Sequence, residues 1–242
     1  MESLAETPHF DSTTILVTGA ATVIALAAVA RARRRQAESN PTGSGKPAPK
    51  FTNENITASF VAAIPTITRE LNLEVATATQ VETFTRSSNK TVLWGLVDLG
   101  TNTAQVRVPV TYRFHIRLRD TWKLSVRGGG VVVCAPILQP SLPPAIHTDK
   151  MERLSVRGWG RWSPTDLLEE LERQITPTLT QQASDPRQLA QVRETCRLSV
   201  AEFVRLWLEH EGQWSRNGFT AIQVQFADEA ALPTEATLKL LA

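Results

Sequence analysis

Cysteine is nearly absent from this chain, and its scarcity excludes two classes of protein. Cys134 and Cys196 are the only two, 62 positions apart in 242 residues. Two thiols make no disulfide framework, and that spacing fits no metal motif. Both lie in apolar patterns, where a free cysteine is ordinarily buried. Histidine is almost as sparse. His9, His115, His147 and His210 are scattered, with no H-E-x-x-H and no paired cysteines beside them, so the residues call for no metal and no other cofactor. No G-x-S-x-G elbow is present to expose a nucleophilic serine. Gly43-Ser44-Gly45-Lys46 is no phosphate loop either, because Asn40 and Pro47 stand where that motif needs Gly and Ser or Thr. These gaps lean the reading away from an enzyme.

A strong charge surplus is also missing. The net charge is +2, from 26 Lys+Arg against 24 Asp+Glu. From residue 51 onward the count is 20 of each sign, and residues 1–50 hold the remaining 6 and 4, so the whole excess lies near the N-terminus. A neutral remainder argues against nucleic acid as a partner, since such domains carry a basic surplus.

Charge is absent altogether from Ser12 to Ala30, 19 residues bounded by Asp11 and Arg31. As a helix the stretch spans roughly 28 Å, close to the ~30 Å hydrocarbon core of a bilayer. It has no polar face, unlike a buried core helix. The expectation is a transmembrane helix over 12–30 after a flank of 1–11, with the lipid bilayer as its partner. Glu2, Glu6 and Asp11 precede the stretch, while Arg31, Arg33, Arg34 and Arg35 follow it. The positive-inside rule then sets the large domain in the cytoplasm, on the inner membrane of a bacterial cell. A cleaved signal peptide would need a basic segment ahead of the apolar run, and here that segment is acidic. Residues 31–52 read as a basic juxtamembrane segment and a Pro/Gly/Ser-rich tether.

Residues 53–228 read as one α+β domain, with 229–242 as a tail. A helix over 53–71 shows Phe60, Ile64, Ile67 and Leu71 at helical spacing, capped by Asn53 or Asn55, with Pro65 as an expected kink. Strands are expected over Leu73–Phe84 and Thr91–Leu99. The clearest lies over 104–118, where Val106, Val108, Val110, Tyr112, Phe114, Ile116 and Leu118 alternate with polar residues. A hairpin turns on Gly128-Gly129-Gly130, and a Pro-rich stretch, 136–144, cannot be a central strand. Leu124–Gly130 and Leu154–Gly160 match at six of seven positions, which suggests two similar strand-to-turn corners. Ser163-Pro164 and Asp185-Pro186 then start two helices, read as an αα-hairpin. A strand over 219–226 is expected to return to a mostly antiparallel sheet.

That order, with Leu73–Thr77, Val131–Leu138 running into Ile146-His147-Thr148-Asp149, Ser163–Asp166 and Gly218-Phe219, resembles the bacterial domain-of-unknown-function family 4230 over about residues 55–228. The resemblance implies a membrane-anchored domain with no assigned activity, so it carries over no catalytic residue. Members of that family commonly have positive charge before the anchor, which keeps a periplasmic domain as the alternative.

Two constellations carry chemistry. Arg107, Arg113, His115 and Arg117 share one face of the clearest strand and could take phosphate or lipid head groups; the plainer reading is a solvated face paired with Glu74 and Glu82 on a neighbouring strand. His147 and Asp149 follow the Pro-rich loop, where exposed polar side chains are the plain expectation. Trp159 and Trp162 could form an aromatic platform, although such tryptophans more often cover a core edge. The leading expectation is a binding or scaffold module of the cell envelope, with a protein partner or a second copy to bind. The rival is an enzyme acting on an anionic small molecule or lipid head group.

Overall fold

The computed structural model describes residues 13–18, 50–67, 72–92, 97–156 and 164–229. Expectations for the flank, the tether, Trp159, Trp162, Ser163 and the tail beyond 229 lie outside them. So does the expected membrane helix, except Thr13–Thr18, which forms a strand, β1, beside β2. Five of those six residues are Thr, Ile or Val, whose branched side chains favour extended backbone. No helix among the described residues is long and apolar enough to cross a membrane.

The architecture is α+β, with a larger, mostly antiparallel sheet, a three-stranded sheet and helices. Helix α1 is Ile56–Ile67, then β2 Asn72–Val92 and β3 Val97–Arg117. Next come β4 Lys123–Arg127, β5 Gly130–Ala135, β6 Gln139–Pro140, β7 Ala145–Ile146, a 3-10 turn Thr148–Lys150 and β8 Glu152–Val156. Helices α2 Pro164–Ala183, α3 Pro186–His210 and α4 Gln213–Asn217 lead to β9, Ala221–Phe226. Within the residues expected as one domain the chain gathers into two compact units. The first takes Ala78–Tyr112 and Ser141–Gln188, the second Arg113–Pro140, the chain from Leu189 and the stretch before Ala78.

Strands β2 and β3 are each 21 residues long, neighbours in the sheet, and joined by four residues. So short a connection permits only an antiparallel pair. The ends of the strand expected over Thr91–Leu99 belong to β2 and β3, and its middle, 93–96, lies outside the described residues.

In the first unit β7 and β8 pair antiparallel with β3, setting Val110 against Ile146 and Gln105 against Leu154. Helix α2 buries Leu171, Ile175, Leu179 and Ala183, a stripe at four-residue spacing. Arg86 reaches Glu170 at 2.9 Å and Arg153 bonds Glu172, tying that helix to β2 and β8. Pro177 sits inside α2 at an exposed position, where a lost backbone bond falls on the solvent side.

In the second unit β4, β5 and β9 form the three-stranded sheet, with β5 antiparallel to β4 and parallel to β9. The closing strand thus returns to a sheet, as expected, but to this smaller one and in parallel. The β4–β5 hairpin turns where the glycines stand: Gly128 and Gly129 have φ of +53° and +79°, which two-residue turns require and side-chain-bearing residues resist. Gly130 has a different role, since a Cβ there would meet the Ala221 carbonyl oxygen at 2.9 Å. Helix α1 packs its Ile56, Phe60 and Ile64 inward, and Phe60 lies among Trp122, Phe203 and Trp207. Neither expected asparagine caps it in the simple way. Asn53 Oδ1 accepts from Val126 N on β4, and Asn55 Oδ1 accepts from Thr52 N at 2.8 Å. Pro65 stays within the helix. Phe51, where the tether meets the fold, stacks on Trp207, donates its N–H to Gln213 Oε1 and accepts from Asn217 Nδ2. Of the two thiols, Cys196 is buried and Cys134 only half-buried. Burial pushes the Cys196 thiol up to about 12, which makes it inert as a nucleophile at neutral pH.

Candidate functional site

Alternation along β3 builds the face that the sequence singles out. Ala104, Val106, Val108, Val110, Tyr112, Phe114 and Ile116 are buried, so the intervening Gln105, Arg107, Pro109, Thr111, Arg113, His115 and Arg117 line the solvated side. The unit boundary falls between Tyr112 and Arg113, and each part has its own local chemistry.

In the first unit Arg107 Nη1 lies 3.5 Å from Glu152 Oε2 on β8, an exposed ion pair of small energetic weight. Thr111 sits 2.8 Å from His147 Nε2 through its Oγ1, and 3.0 Å from the Thr79 hydroxyl. The His147 N–H donates to the Pro109 carbonyl at 3.0 Å, which fixes the backbone bearing the ring. Asp149 projects from the following 3-10 turn, exposed. The fold therefore brings His147 onto the strand face, as part of a row of three hydroxyl and imidazole groups, and leaves Asp149 on the surface.

In the second unit Arg117 Nε donates to Asp120 Oδ2 at 3.0 Å. Burial and the neighbouring Arg117 lower the pKa of His115 below the ordinary imidazole value, while Glu74 pulls the other way. A protonated ring is therefore disfavoured there. Arg113 is exposed and has no ion-pair partner among the described residues. Positions four apart on a strand are separated by ~13 Å, so neither Arg107 and Thr111 nor Arg113 and Arg117 converge on one atom of a small ligand.

The expected pairing of this face with both Glu74 and Glu82 is corrected by the burial pattern of β2. Leu73, Val75, Ala76, Ala78, Glu82 and Phe84 are buried. Two consecutive buried residues, Val75 and Ala76, break the alternation, and a one-residue slip exchanges the faces of a strand. Glu74 accordingly lies by His115, whereas Glu82 turns inward to accept from Tyr112 Oη at 2.9 Å and from Gln80. Burial, with Glu82 close by, raises the Tyr112 pKa far above the usual phenol value, so Tyr112 stays a neutral donor to the carboxylate.

The sequence reading also missed a cluster in the second unit. Arg193 binds Asp228 with two bonds of 3.1 and 2.7 Å. Arg197, almost wholly buried, clasps Glu229 through both terminal guanidinium nitrogens, donates to the Val224 carbonyl at 2.6 Å, and turns its Nε toward Glu194. Both cations lie over the Phe226 ring, 5.7 and 5.5 Å from its centroid. Two arginines four apart beside the apolar stripe of α3 were the available signal, together with paired acids just after a strand. Every charge here is matched, so the cluster holds β9 to α3 and offers little to a ligand. Among the described residues no three His, Cys, Asp or Glu side chains group to hold a metal ion. Comparisons with family models, curated proteins and solved structures returned no match.

Proposed function

We propose that the chain is a binding or scaffold module of the bacterial cell envelope without catalytic activity, tethered to the inner membrane by residues 12–30. The resemblance to family 4230 belongs to the same proposal. The observation that carries it is the state of the β3 face. Arg107 is paired with Glu152, Arg117 with Asp120, and Thr111 is bonded to His147 and Thr79. Groups that satisfy one another locally within each unit suit a macromolecular contact, whereas catalysis needs groups converging on one reacting atom.

The tether rests on the uncharged stretch and its flanks, and strand β1 competes with it, because a span of ~20 apolar residues cannot spare six to a sheet. Substitution Ile24→Arg separates the two states. An arginine at the centre of a span costs ~2.5–3.5 kcal/mol of insertion free energy, so the variant is expected to leave carbonate-washed membranes that retain the native chain. A native chain recovered wholly in the soluble fraction ends the tether reading and leaves β1 as the working state. A phosphatase fused after Ala242 reports the side: silence fits the cytoplasm, activity the periplasm.

One observation favours the rival reading, an enzyme acting on an anionic small molecule. The Thr111 hydroxyl lies within 2.8 Å of an imidazole nitrogen, the reach of a nucleophile and its base. Turnover of phosphate or carboxylic esters by the purified chain, abolished by both Thr111→Val and His147→Ala, would replace the module reading with this one.

A further inference from the structure

Two edge strands carry the same words in sequence and are finished differently. Leu124-Ser125-Val126 lies in β4, the outer strand of the three-stranded sheet, and Leu154-Ser155-Val156 lies in β8, which pairs only with β3. The free edge of β4 is closed by side chains from the start of α1. Thr57 Oγ1 accepts from Leu124 N and donates to Leu124 O, both at 2.9 Å, and Asn53 takes the Val126 N–H. Among the described residues no side chain does this for β8; Glu172 of α2 bonds its Arg153 side chain but not its backbone edge. All five of its residues are exposed, and on the face shared with Arg107 it presents Leu154 at 53% and Val156 at 65% exposure. An open edge with apolar side chains is a template for another strand.

We infer that β8 pairs antiparallel with β8 of a second copy of this chain, across a two-fold axis at Leu154. The strand has five residues, and Leu154 is its centre, so this register alone pairs all five. Glu152 then stands opposite Val156 of the second copy, Arg153 opposite Ser155, and Leu154 opposite Leu154. No like charges face each other, whereas sliding by one pair to centre on Arg153 would set two guanidinium groups together, a destabilising arrangement. Opposite residues share a face, so the two leucines meet directly and each Val156 lies diagonal to a leucine, closing four exposed apolar side chains into one patch. Glu152 keeps its bond to Arg107 on the same face. Five residues a side bury well under the ~1,200 Å² of a stable complex, so the contact is weak and is populated where copies are concentrated. The pairing does not depend on which side of a membrane the chain occupies, nor on its being tethered at all.

Crosslinking in the expressing cell tests it. The full-length chain carries Leu154→Cys or Ser155→Cys, is co-expressed with two different tags, and is oxidised before lysis; the parent chain with its native thiols gives the background. Opposed leucine positions lie ~4.5–5.5 Å apart at Cα, within disulfide reach, while the two Ser155 positions are offset diagonally by ~8 Å and are not. Leu154→Cys is therefore expected to give about fivefold or more covalent dimer carrying both tags than Ser155→Cys. Because Leu154 is exposed, the substitution leaves the core intact, and an unchanged thermal transition verifies this. Equal yields from the two variants, no dimer above background, or a disulfide to a different protein would each overturn the pairing.

Discussion

Replacing Phe60 by Ala is expected to lower stability by about 3–5 kcal/mol, as for other wholly buried aromatic side chains. Phe60 has no exposed surface, and its ring centroid lies 5.1 Å from Trp122, 6.0 Å from Phe203 and 5.0 Å from Trp207, edge to face with each. Each such contact contributes ~0.5–1.5 kcal/mol beyond the area it hides. Trp122, Phe203 and Trp207 come from outside α1, so the cavity would open where α1 is held to them. The indole N–H groups of Trp122 and Trp207 already lack an acceptor among the described residues, so the rim has little polar compensation to offer. Phe60→Leu keeps most of the volume and is expected to lose about a third as much. Denaturant titration of both variants is the measurement. A loss below ~1 kcal/mol for Phe60→Ala would mean that α1 is not part of this core.

The second large effect is expected at Arg197. Arg197→Ala removes the partner of Glu229 and leaves the Val224 carbonyl without its charged donor. Breaking one side of a buried pair costs ~3–5 kcal/mol, mostly from the stranded charge. Arg193 lies 3.2 Å from Glu229 and should absorb part of that loss, so the lower end is expected. The cluster also predicts acid sensitivity. The Arg193 bonds hold the Asp228 carboxyl below its ordinary value. For Glu229 burial pushes upward, but the bonds from Arg197 and from the Phe226 N–H outweigh it, and the net direction is again down. A carboxylate whose folded pKa is depressed contributes stability above its unfolded value, about 4, and loses it as pH falls through the folded one. Native stability should therefore fall below about pH 4, and the Arg197→Ala variant should show a shallower slope there. Parallel slopes would refute the coupling.

How much of this could be read in advance differs between elements for physical reasons. The alternation of 104–118 was legible because a half-buried strand writes its faces at period two, and all of its even positions are buried as expected. The glycine hairpin and the starts of α2 and α3 were legible because turn and cap chemistry is local; Asp185 Oδ1 accepts the Arg187 N–H at 2.8 Å, as a cap should. The inward turn of Glu82 was not legible, since alternation carried past Val75 and Ala76 puts it on the wrong side. Nor was the parallel docking of β9 on β5, a contact across more than eighty residues that no local signal specifies. Of the candidate site, the row of arginines was visible from spacing alone. The neutralisation of two of them was only partly so: Asp120 is three residues from Arg117, but Glu152 meets Arg107 through a strand pairing that the sequence does not announce.

The way Phe51 is held has a mechanical consequence. Tension on the chain just before this residue is borne by the ring stack on Trp207, by hydrogen bonds at Gln213 and Asn217, and by the Asn55 bond to the Lys50 carbonyl. Trp207 lies on α3, and Gln213 and Asn217 on α4, so part of the pull reaches that short helix, which the left-handed Gly212 and Gly218 bracket at both ends. Under tension this clasp, loaded ahead of the β5–β9 ladder, is expected to release before that sheet does.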